Sequence, residues 1–357
     1  MNKLKVGIIG IRGLPANYGA FDQFVDQFVD YSNEKKKNIF FYISSDIKTK
    51  KIKITNVKQF YFFRGKSLAI LINSFISIIY FYLLGVRTFL FFGYSSVIFF
   101  PLLNFLNCRI ICNVDGIEWR RRISYPKKLY FKFCEKLLSK VKVNLIYDSV
   151  VIAKYYKVKH KLDGKVIFYP SDFEKYNKDF DTFQNRNDKD NFVVTIVMRF
   201  LPENNIESIV KAFVNLKKKD ILNHRLQIIG RENEYFNKTI RPLIKDNKNI
   251  SFLGPVYDRK HLFQYWCGSD YYIHGHSVGG TNPTLIEAIS LKLPIIAYDC
   301  MFNKKILKNT GFFFKTSEDL IKIIEDGTFL QKKTNLDDKF FKRKYINEEY
   351  LKLLKSL

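Results

Sequence analysis

Short apolar runs alternate along this chain with stretches in which apolar residues recur every three or four positions. The runs at 4–9, 38–44, 88–92, 109–114 and 143–147 are rich in β-branched and aromatic residues and read as strands. Between them, Phe21, Phe24, Val25, Phe28 and Val29 fall on one face of a helix over 21–31. Leu129, Phe133, Cys134, Leu137 and Leu138 repeat that spacing over 129–138. A polar stretch at 173–191 interrupts the pattern. Beyond it come strand runs at 193–197, 226–229, 250–253, 271–274 and 295–297, and a helix face of Ile206, Ile209, Val210, Phe213 and Leu216. Strands alternating with helices predict parallel sheets covered on both faces. The expected architecture is α/β: a first doubly wound domain at 1–172, a linker at 173–191, a second such domain at 192–340 and a C-terminal helix at 341–357 that can pack back on the first. Two such domains are expected to face across a cleft, with ligands beyond the carboxyl ends of the strands.

One run needs separate treatment. Residues 68–85, LAILINSFISIIYFYLLG, reach the lower limit of a membrane span. Asn73, Ser74 and Ser77 interrupt them, Arg87 follows, and a strand run begins at Thr88. A buried or interfacial helix is expected in preference to a span. The opening run Leu4–Gly10 is too short for the apolar core of a secretory leader and ends in a glycine turn.

Composition supports this outline. A chain of 357 residues with 47% apolar residues is long enough for two cores and too apolar for disorder. Five cysteines do not make a disulfide framework, and Cys108 and Cys112 have no companion ligands for zinc. Buried thiols are expected. The net charge of +26 is uneven: residues 1–165 hold 29 Lys/Arg against 10 Asp/Glu, and 166–357 hold 31 against 24. Part of the excess is compositional drift in a Lys- and Asn-rich chain. The asymmetry suits an anionic partner for the first half. With no nucleic-acid-binding signature, a nucleic acid is not the expected partner, which leaves an anionic membrane surface or anionic substrates.

Four motifs can carry chemistry. The loop Gly10–Gly19 follows the first strand; its glycines permit a tight turn, and Arg12, Gly13, Tyr18 and Gly19 are candidates for ligand contact. Its spacing is not that of a dinucleotide fingerprint. Asp22, Asp26 and Asp30 in the next helix read as a solvated face. In NVDGIEWRRR, Asp115 ends a strand and can receive a proton from an attacking hydroxyl, with Glu118 as the competitor. An Asp-Gly turn with a salt-bridged Glu explains the same residues equally well. Arg120, Arg121 and Arg122 suit a pyrophosphate or a solvated helix face. Arg199 ends the first strand of the second half, where a guanidinium can grip a diphosphate. The run His274–Ala288, HGHSVGGTNPTLIEA, passes from strand through glycine turn to helix, a pattern that favours phosphate binding. His276, Gly279, Gly280, Thr281 and Asn282 line that turn, and Glu287 can accept sugar hydroxyls from within the helix. His274 and His276 have no third metal ligand near them in sequence, and the Asp179–Asp181 and Asp188–Asp190 triplets fall in the linker. No metal and no cofactor are expected.

Arg199 with Pro202-Glu203-Asn204-Asn205, followed by the glycine turn and Glu287, resembles the donor half of GT4-family GT-B glycosyltransferases. The opening GIRGLPANYG, NVDGIEW and HGHSVGGTNPTLIEA together resemble the bacterial rhamnosyltransferase subgroup of capsule and O-antigen assembly. The resemblance implies two Rossmann-like domains and a retaining transfer of a sugar, with rhamnose from dTDP-rhamnose as the first donor. The implied partners are a nucleotide-diphosphate sugar and a lipid-pyrophosphate-linked surface glycan at the inner face of the cytoplasmic membrane. It implies Arg199 on the donor diphosphate, Glu287 on the ribose, the Gly279–Gly280 turn on sugar and phosphates, and the Gly10–Gly19 loop with Asp115 toward the acceptor. The chain departs from the pattern where Asn204 replaces a lysine, Gly279 the first of two glutamates, Ala20 a glycine and Asp22 a glutamate. His276 or Asn282 is then expected to take over sugar contacts. A nucleotide-sugar epimerase shares the architecture and is the main rival.

Overall fold

The computed structural model describes residues 3–16, 19–45, 54–62, 67–171, 173, 192–218, 223–334, 336 and 338–355. The chain divides into two compact units, Met1–Tyr169 with Lys344–Leu357, and Pro170–Arg343. Each is built on one all-parallel sheet, the α/β architecture that the alternating pattern predicts.

The first unit has seven strands: β1 (Leu4–Ile11), β2 (Ile39–Ser45), β3 (Val57–Phe60), β4 (Thr88–Phe92), β5 (Arg109–Asn113), β6 (Asn144–Tyr147) and β7 (Lys165–Val166). Their order is β3-β2-β1-β4-β5-β6-β7. Helices cover both faces, so a central strand has no polar side, and every residue of β4 (TFLFF) is buried. Right-handed crossovers assign the faces. Helix Ala20–Glu34 carries the chain from β1 out to β2, while Ser67–Leu83, Phe100–Phe105, Tyr125–Leu138 and Val150–His160 connect strands in the opposite direction. The first therefore lies on one face and the other four on the opposite one.

Side-chain packing agrees. Phe24, Val25 and Phe28 join Val6, Ile8 and Phe41 in one core, together with Tyr350 and Leu351 of helix Arg343–Lys355. That helix is fastened by an Asn113 Nδ2 donation to Tyr350 Oη at 2.8 Å, a Tyr31 Oη donation to Glu348 Oε1 at 2.8 Å and a Lys165–Glu349 ion pair.

Helix Ser67–Leu83 turns its polar residues inward. Ser77 Oγ donates to Ser44 Oγ at 2.7 Å, Asn73 Nδ2 donates to the Ser45 carbonyl at 3.0 Å, and Ser74 Oγ accepts from Ser96 Oγ at 3.1 Å. The residues that break the apolar run are thus the ones that fasten the helix, Asn73 and Ser77 to the end of β2 and Ser74 to the turn 95–99. Among the described residues, no helix is long and apolar enough to cross a membrane.

The second unit has six strands: β8 (Phe192–Val197), β9 (His224–Ile229), β10 (Ile250–Gly254), β11 (Tyr271–His274), β12 (Ile295–Tyr298) and β13 (Phe312–Phe314), in the order β10-β9-β8-β11-β12-β13. Helix Ile206–Lys218 buries Ile206, Ile209, Val210, Phe213 and Leu216, the face read from its spacing. Phe173, assigned to the linker in sequence, is a buried residue of this unit, its ring 5.2 Å from that of Phe263 and 6.4 Å from Trp266. The rest of the linker, with both Asp-x-Asp triplets, lies outside the described residues.

Candidate functional site

In both sheets the strand order reverses once, between β1 and β4 and between β8 and β11. At such a point two loops leave the carboxyl ends of neighbouring strands in opposite directions and open a crevice. In the second unit, Arg199 follows β8 and the His276–Asn282 loop follows β11. The sequence motifs therefore sit at this reversal.

The two loops are locked together by backbone contacts. Asn205 Nδ2 donates to the Gly275 carbonyl at 2.8 Å, and the Glu203 carbonyl accepts from Ser277 N at 3.1 Å and Ser277 Oγ at 2.7 Å. Gly275 is required there, since a Cβ would lie 2.1 Å from the Asn204 carbonyl oxygen. Asn204 is buried and closes its own turn by donating Nδ2 to the Arg199 carbonyl at 2.6 Å. A short amide at this position stabilises the turn where a lysine would extend from it. The Arg199 side chain is exposed.

Beyond Gly275 the loop carries polar groups in need of partners. Burial, and then the nearby Arg199 charge, lower the His276 pKa to about 3, so this imidazole is neutral. Its ring stacks on His274 with centroids 4.6 Å apart, and its buried Nδ1 has no hydrogen-bond partner among the described residues. The buried Thr281 Oγ1 is likewise unpartnered among the described residues. Gly279 takes φ +104°, a conformation that favours glycine, between these two groups. Asn282 then caps helix Pro283–Ser290, its Oδ1 accepting from Thr284 N at 3.0 Å and Thr284 Oγ1 at 2.8 Å. The Thr284 hydroxyl continues through Tyr272 Oη to His274 Nδ1, at 2.9 Å for each step. This network fixes the direction of the helix N-terminus, where the helix dipole favours an anion.

Glu287 is buried one turn inside that helix, with Oε1 2.8 Å from the Arg259 guanidinium. Arg259, from helix Arg259–Cys267, also lies over the Phe173 ring at 4.8 Å. Sequence reasoning missed Arg259, because nothing in its local pattern distinguishes it from a solvated helix residue.

In the first unit, the Gly10–Gly19 loop is held by side chains from three elements. Asp22 Oδ1 accepts from Arg12 N at 2.7 Å, and Asp26 Oδ2 accepts from Ala16 N at 3.0 Å. Gln59 pairs with both backbone groups of Leu14, and Ser45 Oγ donates to the Arg12 carbonyl at 2.6 Å. The expectation of a solvated face is therefore corrected for Asp22 and Asp26, which organise the loop, Asp22 being buried; Asp30 is exposed as expected. The Asp22 and Asp26 carboxylates receive backbone N–H groups that the turn leaves over. Gly13, at φ +127°, passes so near Ser45 that a Cβ would sit 2.3 Å from its hydroxyl. Arg12 and Gly19 are exposed at the loop surface, and Tyr18 lies outside the described residues.

Asp115 adopts φ +61° after β5. Its Oδ2 lies 3.1 Å from the Arg121 guanidinium, and its Oδ1 accepts from Tyr169 Oη at 3.3 Å. Arg121 Nε also reaches Glu118 Oε1 at 2.9 Å. The salt-bridged turn is thus the observed state of both candidate carboxylates. Arg120 instead lies over the Trp119 and Tyr155 rings, at 5.3 and 5.1 Å. Close by is a cluster that the sequence reading did not anticipate. Buried Glu135 accepts from Trp119 Nε1 at 2.6 Å, Tyr155 Oη at 2.5 Å and Lys159 Nζ at 3.0 Å, and meets His160 Nε2 at 2.5 Å. Burial alone would raise its pKa; these partners outweigh it and hold the carboxyl below its ordinary range.

Residues 177–343 match the family model described as glycosyl transferases group 1. Residues 3–74 and 65–172 match a domain of unknown function, DUF1972. No curated protein matches the chain in sequence. Among solved structures, sucrose-phosphate synthase from Thermosynechococcus elongatus aligns with TM-score 0.78 at 14% identity, covering 98% of each chain. Anabaena Alr3699/HepE, in complex with UDP and glucose, aligns with TM-score 0.73 at 15% identity, over 99% of this chain and 100% of that one. A glycosyltransferase from Rickettsia africae gives TM-score 0.73 at 16% identity, over 99% and 98%. The match of residues 177–343 to the glycosyl transferases group 1 model, together with the GT-B fold of the chain, thus supports a glycosyltransferase.

Proposed function

We propose that this chain is a retaining, metal-independent glycosyltransferase of the GT4 type. It moves a sugar from a nucleotide diphosphate donor, with dTDP-rhamnose as the first candidate, to a hydroxyl of a lipid-pyrophosphate-linked surface glycan. The observation that carries this reading is the loop after β11. Two buried polar groups that have no hydrogen-bond partner among the described residues, His276 Nδ1 and Thr281 Oγ1, flank a glycine turn that ends in a fixed helix N-terminus. Buried polar groups are otherwise nearly always paired, so a ligand rich in hydroxyl and phosphate oxygens fits what this loop lacks.

In this reading the acceptor hydroxyl attacks the anomeric carbon as the bond from that carbon to the diphosphate oxygen breaks, and its proton passes to Asp115. Arg199 and the N-terminus of helix Pro283–Ser290 stabilise the charge that appears on the departing diphosphate. Neutral His276 bonds a sugar hydroxyl without adding to the positive charge, and Thr281 and Asn282 complete the sugar contacts around Gly279 and Gly280. Glu287 receives the ribose hydroxyls, with Arg259 as the residue that positions its carboxylate. Arg12, Gly13, Tyr18, Gly19, Asp115 and Glu118 are assigned to the acceptor side, at the inner face of the cytoplasmic membrane. Because the Anabaena HepE structure is a complex with UDP and glucose, a uridine donor belongs in any test.

The test is a thermal-shift screen against a panel including dTDP-rhamnose and UDP-glucose, followed by product analysis. A bound donor raises the melting temperature by mass action. The expected result is stabilisation by one donor, with transfer to acceptor or slow hydrolysis in its absence. Release of an epimerised nucleotide sugar without acceptor would make the protein an epimerase. No stabilisation by any nucleotide sugar would overturn the proposal.

A further inference from the structure

Helix Ser67–Leu83 contains no charged residue, and it turns Asn73 and Ser77 toward the end of β2 and Ser74 toward Ser96 of the turn 95–99. Its outer stripe is Leu68, Ile72, Phe75 and Leu83, spaced so that all four lie on one side, with Leu68 72% and Leu83 75% exposed. The inner face mixes these polar residues with fully buried Ile78 and Phe81, and the outer face is apolar where a surface helix usually carries charged or polar residues. On the same face of the sheet, helix Tyr125–Leu138 exposes Tyr125, Leu129 and Phe133 at four-residue spacing, Tyr125 to 72%, and Phe105 is 83% exposed. The turn 95–99 joins the two helices. Phe99 packs on Phe75 with centroids 5.3 Å apart, and the Ser95 carbonyl accepts from Tyr130 Oη at 2.5 Å.

Charge distinguishes the occupants of such a face. Lys132 and Lys136 sit among the exposed apolar residues of helix Tyr125–Leu138, and Lys127 lies in its first turn; all three are exposed. Among the described residues, none of the three pairs with a carboxylate. Glu135, the one acid in that helix, is buried, and no Asp or Glu occurs between 47 and 114. A second copy of the chain would bring lysines against lysines. A phospholipid surface with anionic headgroups offers hydrocarbon for the apolar stripe and phosphate for the ammonium groups.

We infer that the face formed by helices Ser67–Leu83 and Tyr125–Leu138 docks on an anionic phospholipid bilayer. The apolar stripe lies in the interface, and the lysines of the second helix meet the headgroups. This inference rests on the lipid-linked acceptor reading only for its biological sense; its geometry is independent of the donor site.

The test is co-sedimentation of the full chain with vesicles of phosphatidylglycerol and phosphatidylcholine, and with phosphatidylcholine alone, at low salt. Binding to the anionic vesicles is expected, weakened by added salt. Leu129→Glu with Phe133→Glu, and Leu68→Glu with Ile72→Glu, should each reduce it strongly. Lys132→Glu with Lys136→Glu should weaken it by at least about fivefold for each lysine that reaches the surface. All these positions are exposed, so the melting temperature should stay near wild type. It should still rise with nucleotide sugar, which separates failure here from failure of the functional reading. Equal binding to both vesicle types, or variants that bind as well as wild type, would overturn the inference. So would a soluble dimer that ignores vesicles and dissociates on Leu129→Glu with Phe133→Glu; that result would make the face a contact between copies.

Discussion

Arg199 has its charge in solvent and its carbonyl tied down by Asn204, so the guanidinium is held at its base and available at its tip. Arg199→Ala should cost about 2–4 kcal/mol of transition-state stabilisation, as deletion of an electrostatic donor does. Arg199→Lys should recover part of it, because the planar fork is lost. Steady-state kinetics at saturating acceptor would check both, and wild-type turnover in Arg199→Ala would remove it from the site. Single residues were unevenly legible in the sequence. Glycines in a strand–turn–helix pattern announce backbone geometry, so Gly13 and Gly279 could be read. The roles of Asp22, Asp26 and Arg259 depend on partners 10 to 28 positions away, which no local spacing encodes. Histidines add a pH dependence. Burial lowers the pKa of His224 to about 4 and, together with the Arg199 charge, that of His276 to about 3. Each takes up a proton more readily when unfolded. Their contribution to stability is therefore full above about pH 6.5 and is lost as the pH falls from there toward 4 and 3. Thermal melts between pH 7 and pH 4 should show falling stability. The His276→Gln variant should show a shallower fall, and an unchanged slope would refute the assignment.

At the scale of elements, the parallel strands were the most legible, because burial on both faces writes them as unbroken apolar runs. The short edge strands escaped. β3 (VKQF) is half polar, and β7 has two residues, so neither makes a run. Helix Ser67–Leu83 was found, but its orientation could not be read from hydropathy, since Asn73 and Ser77 are satisfied by the Ser44–Ser45 end of β2 and Ser74 by Ser96. The loops after β8 and β11 act as one element in this respect. Gly275→Ala would push a methyl group into the Asn204 carbonyl and separate them. A cost of about 3 kcal/mol or more is expected, beyond ordinary overpacking because the opposing atom is backbone. Chemical denaturation would measure it, and a variant as stable as wild type would mean that the loops part easily.

For the whole molecule, Arg199 and the helix N-terminus provide the positive potential proposed for the leaving group, so chelation by EDTA should leave turnover unchanged. Loss of activity restored by Mg²⁺ or Mn²⁺ would show that the charge comes from elsewhere. The division into two α/β units was visible because the pattern stops and restarts around 173–191. The reversal points in strand order were not, since order within a sheet depends on pairing that periodicity does not record. The chain leaves the first unit after Tyr169 and re-enters it at Lys344, where Tyr350, Leu351 and Leu354 complete a core that begins with Val6. This return has a consequence for synthesis. Domains generally fold as they leave the ribosome, the earlier before the later. Here the second unit is one uninterrupted stretch and can close as soon as it emerges. The first unit, although begun first, must wait with part of its core open until helix Arg343–Lys355 has been made.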